Sequence, residues 1–287
     1  MGKIMYKNIN YSGASGSGGG FSGIELTQAE YDALVTAGTV KPDVMYFITD
    51  GDSGSDIEEE FHNAGIHNSR YRGKFLGNSV TSEQYTRISD GTFKDMYIGD
   101  YWTINNVNWR IAAFDYYMNC GVTPTTEHHV TLVPDTPLYT HCMNSGSDTT
   151  SGGYLGSEMY KTGLNQAKTI INTAFGETHV LKYGNRLPTS SPESSSSDVE
   201  STVELMNQIN VYGSIINGSN TGIVFTYDNV QYPLFALNHS MITNGVKWWL
   251  RDGSDQHGFI CTSIEGITNI NGSRQVLGVR PSFNIKA

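Results

Sequence analysis

Cysteine, charge and long apolar runs are all scarce in this chain. Its 287 residues contain three cysteines, Cys120, Cys142 and Cys261. An odd number at irregular spacing sets up neither a disulfide framework nor a zinc pattern. Two readings stay open, a Cys120–Cys142 bridge or buried and half-buried free thiols. Charged residues make up 16% and the net charge is −10, with no basic cluster. Nucleic-acid binding is therefore not expected, because it needs clustered Lys and Arg to neutralise phosphates. No stretch approaches the roughly 18 apolar residues of a membrane span, so membrane insertion is not expected either. The start, Met1-Gly2-Lys3-Ile4-Met5-Tyr6, lacks the apolar core of a secretory signal. Gly2 would suit myristoylation, but position 6 is Tyr where that motif wants Ser or Thr.

Catalytic and metal motifs are missing too. There is no G-x-S-x-G elbow, P-loop or H-E-x-x-H. Asp252 and Asp255 are too generic a carboxylate pair to argue hydrolysis. His128-His129 and His141-Cys142 are neighbours in sequence, and neighbours on a strand point to opposite faces. The run from Asp50 to Asp56 looks superficially like a calcium loop. Its twelfth position, residue 61, is Phe where a bidentate Glu is required. No enzyme activity, cofactor or metal is expected.

Gly, Ser, Thr and Asn are abundant, a composition that suits β-rich, loop-rich proteins. The length allows one large domain and a small one. Residues 12 to 24 read as a flexible Gly/Ser segment. A helix then starts at Thr27, with Glu30 at capping-box spacing, Leu26 and Tyr31 at the staple positions and Gly38 as its stop. Val44 to Thr49 reads as a strand. Asp52 to Arg70 reads as a connector or as a short helix in an oligomeric stalk, with too few apolar positions for a coiled coil. Val80, Thr81, Gln84 and Tyr85 repeat the helix-start grammar, and that helix ends near Asp90-Gly91. Asn105-Asn106 suits a type I′ turn between strands 101–104 and 107–112. Further expectations are a strand over 129–133, a helix over 159–175 closed by Gly176, and an exposed loop over 189–197. A short helix over 203–209 and a hairpin of 222–227 with 230–237 across Asp228-Asn229 complete the pattern.

The C-terminal region carries the clearest signature. Lys247-Trp248-Trp249-Leu250-Arg251-Asp252-Gly253 and Gly278-Val279-Arg280-Pro281-Ser282-Phe283-Asn284-Ile285 bracket about 25 residues of mixed polar character. Rigid framework around arbitrary-looking polar residues describes a display surface, whereas a catalytic site needs particular groups in fixed geometry. W-W-L-R-D followed by G-V-R-P-x-F-x-I resembles the C-type-lectin-fold domains of phage tail and receptor-binding proteins. More narrowly it resembles the variable proteins diversified by retroelements, of the major tropism determinant type. The resemblance also takes in 99–104, 108–115, 152–157 and 233–237, and covers roughly residues 71 to 287. Leu26 to Leu34 and Tyr46 to Asp50 look like a phage tail module.

The resemblance implies an α+β fold, a C-type-lectin-like domain of the formylglycine-generating-enzyme-like subtype with long loops, over 71–287. A small attachment or oligomerisation module over 1–70 would precede it. In that fold the C-terminal strands support the binding loops. Trp248, Leu250, Val276, Val279, Pro281 and Phe283 are expected to face inward as framework. Trp249, Asp252, Ser254, Asp255, His257, Phe259, Thr262, Ser263, Thr268, Asn269, Asn271 and Ser273 are the candidates for the exposed, ligand-binding face, with Trp249 alternating outward from Trp248. Adenine-directed mutagenesis starts from codons of the Asn type and reaches residues in which this segment is rich. Arg251 and Arg280 are expected to bond carbonyls beneath the loops. The Glu-Pro-Asn, Gln-Pro-Asp and Trp-Asn-Asp triplets of calcium-dependent sugar binding are missing. So is the cysteine pair of the formylglycine-generating enzymes, since only Cys261 lies in that region. The function implied is host-receptor binding by a phage tail protein, a homotrimer that partners other tail proteins, made in host cytoplasm and carried on the virion. The alternative is a fixed-sequence tail or baseplate protein that uses the domain for assembly.

Overall fold

The computed structural model describes residues 22–41, 44–48, 62–122, 124–191, 195–217, 227–254 and 257–287. The fold is mixed α+β with open sheets. The chain divides into two compact units, the second spanning His62–Ala287. In the first unit β1 (Ser22–Leu26) and β2 (Val44–Ile48) pair in parallel around the helix Gln28–Thr36. The expected capping box forms: Glu30 N donates to Thr27 Oγ1 (3.2 Å) and Thr27 N to Glu30 Oε2 (2.7 Å). Ser22 to Ile24 belong to a strand and not to the Gly/Ser segment, whose remainder lies outside the described residues. The run 50–56 and residues 52–61 of the connector lie outside them as well.

Residues 62–70, expected in the connector, are bonded into the larger unit. Asn63 caps the helix Ala64–Asn68, and Asn68 exchanges two hydrogen bonds with the Phe114 backbone (2.9 and 2.8 Å). Then come β3 (Phe75–Gly77), the helix Ser82–Ser89, β4 (Tyr101–Ile104), β5 (Val107–Phe114), β6 (Val130–Pro134) and β7 (Tyr139–His141). The cap of the Ser82–Ser89 helix is the expected Thr81–Gln84 box, and Gln84 Oε1 also accepts the Trp102 indole N–H at 3.0 Å. Asn105 and Asn106 sit at φ 52° and 63°, as a type I′ turn requires. β8 (Tyr183–Pro188) and β9 (Ser196–Ser201) form a hairpin, so Ser196 and Ser197 are strand rather than loop. β10 (Val203–Leu205), β11 (Trp248–Gly253), β12 (Gly258–Thr262), β13 (Thr268–Gly272), β14 (Leu277–Val279) and β15 (Pro281–Ile285) complete the chain.

Two sheets carry the larger unit. One has the order β10-β15-β6-β5-β4-β3 and the other β13-β12-β11-β14-β7. The indole of Trp109 meets Phe175 and Phe283 edge-on at 5.6 and 5.4 Å, seating the helix Asn165–Phe175 on the first sheet. Three expectations fail here. The 159–175 helix is broken into a wide turn, Met159–Gly163, and the helix Asn165–Phe175. Leu164 N reaches back five residues to Met159 O (2.9 Å), and Gly163 lies against Met159 and His141. Val203–Leu205 is strand because it pairs with β15, so the helix starts later, at Gln208, under an Asn207 cap. Pro233–Leu237 is helical, with Pro at its first turn, and its expected hairpin partner 222–226 lies outside the described residues.

All three cysteines are free, Cys261 buried and the others half-buried. The left-handed backbone at Asn106 makes a local test. Asn106→Val is expected to cost about 1–2 kcal/mol, and Asn106→Gly to leave the midpoint near wild type, in urea denaturation.

Candidate functional site

The bracketed segment folds as β11, β12 and β13, with β14 on the other side of β11. Its framework is buried as expected at Trp248, Leu250, Val279 and Phe283, all 0% exposed, and at Pro281. Val276 is the exception, at 61%. Arg280 bonds carbonyls as expected. Nε donates to Pro134 O (2.8 Å) and a terminal nitrogen to Met241 O (2.9 Å). Its guanidinium also lies over the rings of Trp248 (5.0 Å) and Phe235 (5.6 Å). Burial lowers its pKa to about 10, which leaves it charged at neutral pH. Arg251 is structural as well. Its side chain is buried against the Asp228 carboxylate.

Most of the expected display residues are not on the surface. Trp249 is fully buried, and its indole N–H donates to His141 O (2.9 Å). The segment around His141 covers the face toward which Trp249 was expected to look outward. Phe259 and Thr262 are 0% exposed because β12 is an inner strand with both faces covered. Asp252 is buried, with Oδ2 accepting Gln208 N at 2.8 Å. Ser254 and Ser263 are buried where they close turns, through Ser254 Oγ to Gly258 O (3.1 Å) and Ser263 N to Ile267 O (2.7 Å). Ser273 is buried between Thr149 N (2.9 Å) and Ser147 O (3.1 Å). Alternation puts every second residue in water only when one face of a sheet is bare, and this sheet has no bare face at β11 or β12. Asp255 lies outside the described residues.

Four candidates do reach the surface. His257 and Asn269 are exposed, and Thr268 and Asn271 half-buried. They gather along β13, the outermost strand of its sheet among the described residues. Ser273 N donates to His257 O (3.0 Å) and Ser263 N to Ile267 O. With the antiparallel register this turns the peptide groups of Asn269 and Asn271 toward β12, and those of Thr268, Ile270 and Gly272 toward the edge. Asn269 Oδ1 accepts the outward Ile270 N–H at 2.8 Å, which covers part of that edge. Asn271 Nδ2 donates to Cys261 Sγ at 2.9 Å. Sequence reasoning missed the aliphatic members of the strip, Ile264, Ile267 and Ile270, exposed at 50, 64 and 45%. Their alternation with polar residues looks like an ordinary half-buried strand. The strip offers amide, hydroxyl, imidazole and aliphatic groups for contact.

A cleft of about 520 Å³ lies elsewhere, between residues around Val122–Glu127 and the β8–β9 hairpin. Each of its carboxylates faces a cation of the chain: Glu127 and Lys286 (2.6 Å), Asp198 and Arg186 (3.4 Å), Glu200 and Lys182 (3.2 Å). That pattern describes a solvated, internally balanced surface.

The interior of the larger unit also holds buried carboxylates, among them Glu204 and Asp252. Glu204 accepts Tyr154 OH (2.9 Å) and Ser201 OH (2.7 Å). Burial pushes Glu204 up to about 7 and Asp252 up to about 6. A raised carboxyl pKa means that the folded state holds a proton that the unfolded state releases. Glu204 therefore stabilises fully below its unfolded value of 4.5, and that contribution is lost as pH rises to about 7. Glu204 alone should account for a loss on the order of 3 kcal/mol in urea unfolding across that window, with Asp252 adding to it at the acid end. Glu204→Gln should reduce the slope and leave the part due to Asp252, and an unchanged slope would contradict the assignment. Asp228→Ala, which removes the carboxylate from Arg251, is expected to cost about 3 kcal/mol at pH 7 in the same assay.

No family model, curated protein or solved structure matches this chain.

Proposed function

We propose that the chain is a phage tail receptor-binding protein whose larger unit is a C-type-lectin-like domain. Its ligand-binding face is β13 and the adjoining end of the β12 hairpin, and its ligand is a host cell-surface receptor. The observation that carries the reading is the contrast in burial across the bracketed segment. Trp248, Leu250, Arg251 and Arg280 are locked in the interior, while Thr268, Asn269 and Asn271 reach water on the outer strand β13 and His257 does so in the turn just before β12. Changes at those four positions remove little packed volume, so the scaffold tolerates them. The resemblance supplies the rest: the virion setting, attachment through the N-terminal unit, trimers that multiply weak contacts, and diversification of the display codons by a retroelement.

One observation favours a second reading, a fixed tail protein that docks a virion partner. Ile264, Ile267, Ile270 and Val276 expose aliphatic surface, which suits a permanent protein contact. The triple variant His257→Ala, Asn269→Ala, Asn271→Ala separates the two. Receptor binding predicts intact virions with adsorption reduced roughly ten-fold or more. Failed assembly by a stably folded chain would establish the structural role instead. Diversification has its own test in the DNA beside the gene. A near-copy of codons 248–280, differing mainly at adenines in the codons of the four surface residues and lying beside a reverse-transcriptase gene, is expected. Differences concentrated at Trp249, Phe259 and Thr262 would overturn the burial-based assignment.

A further inference from the structure

The helix Gln208–Tyr212 starts over Asp252, whose carboxylate takes the Gln208 backbone N–H. The Gln208 side chain, 1% exposed, bonds only the turn that follows this helix. Oε1 accepts Ile216 N (3.1 Å) and Asn217 N (2.9 Å), and Nε2 donates to Asn217 O (2.8 Å). Asn217 in turn donates from Nδ2 to Thr268 Oγ1 at 2.6 Å, which reaches β13 itself. The same turn exposes Ile215 and Ile216 at 45 and 55%. A buried amide is costly unless its bonds are satisfied, and here satisfying them fixes one surface turn.

We infer that Gln208 is a positioning residue that clamps the turn 214–217 beside β13, and that this turn is a second element of the recognition face. The inference rests on the reading of β13 as that face. A run of bonds, buried at Asp252 and half-buried at Asn217 and Thr268, leads from Asp252 through Gln208 and Asn217 to Thr268, so the core of the sheet sets the position of a turn far from it in sequence. Ile215 and Ile216 then contact the ligand together with the residues of β13. Variation at Asn269 and Asn271 would act beside a constant contact supplied by the turn, whereas losing the Thr268 hydroxyl would loosen that contact.

The test uses the full chain and two readouts. Amide hydrogen exchange is measured at Ile216, Asn217 and Ile260. Adsorption of the fluorescently labelled chain is measured on a panel of bacterial strains. Gln208→Met keeps the side chain's length and removes its three bonds. It is expected to speed exchange at Ile216 and Asn217 roughly ten-fold or more while Ile260 stays protected. Thr268→Val keeps the shape and removes only the last bond, so it provides a milder version that does not depend on Gln208→Met folding well. Gln208→Met and the pair Ile215→Ser, Ile216→Ser should each cut adsorption roughly ten-fold. The Ile pair should do so without changing exchange. Unchanged exchange in both Gln208→Met and Thr268→Val overturns the clamp. Full adsorption by the Ile pair, when Asn269→Ala with Asn271→Ala abolishes it, overturns the role of the turn and leaves the β13 reading standing. Adsorption indifferent to the Asn pair, or absent on every strain, sinks the β13 reading and the second element with it.

Discussion

The chain passes from one sheet of the larger unit to the other at Arg280, and the guanidinium is buried at the crossing. β14 ends at Val279 in the five-stranded sheet, and β15 begins at Pro281 in the six-stranded one. From that point Arg280 bonds the carbonyl of Pro134 at the end of β6 and that of Met241, and it lies over the ring of Trp248 on β11. Burying a cation without a direct carboxylate is expensive. Two carbonyls, two aromatic faces and the field of Asp135 offset that cost. The directions of those groups leave little freedom in how the sheets meet, so β6 and β11 are both positioned against one charge.

That arrangement covers both faces of the central strands and decides where variation can be tolerated. Truncating Phe259 or Trp249 would open a cavity, at a cost typical of large core deletions, about 3–5 kcal/mol. A substitution at Asn269 changes a side chain already in water and leaves the packing alone. The surface that can vary is thus a single outer strand with its adjoining turns, narrower than the whole polar segment between the two Arg-bearing strands. Asn269 also caps an outward peptide group of its own strand, which discourages edge-to-edge pairing with another copy.

Local grammar in the sequence was read correctly, and tertiary context overrode the rest. The capping boxes at Thr27 and Thr81 and the Asn105-Asn106 turn need only neighbours within a few residues, and they form as their spacing requires. Val203–Leu205 has helical company in sequence, yet it pairs with β15 almost eighty residues later. No local pattern carries that partner. The buried ends of the bracketed segment were legible because Trp, Leu and Phe have little reason to be elsewhere. The positions of Thr262, Ser263 and Ser273 were not, because a hydroxyl satisfied by backbone in the interior looks in sequence like one satisfied by water. Gln208 was missed for the same reason, since its role depends on a turn and a strand that no spacing rule connects to it.

The irregularity in β11 explains why simple alternation breaks down where the site begins. Trp249 pairs with Cys261 and Gly253 with Phe259, so three residues of β11 stand opposite the single Ile260. A bulge of this kind frees peptide and side-chain groups from the ladder and turns them elsewhere. Arg251 N goes to Met206 O at 3.0 Å, and the Asp252 carboxylate goes to the N–H of Gln208. The freed groups thus bind the segment that follows β10, which belongs to the other sheet. β11 is therefore held by strand pairing to β12 and β14 and, past the bulge, by a cap on a helix start. Regularising β11 would restore alternation and lengthen the ladder, but it would disconnect Gln208 from the strand. The bulge is the means by which the hairpin and the turn beside it share one support.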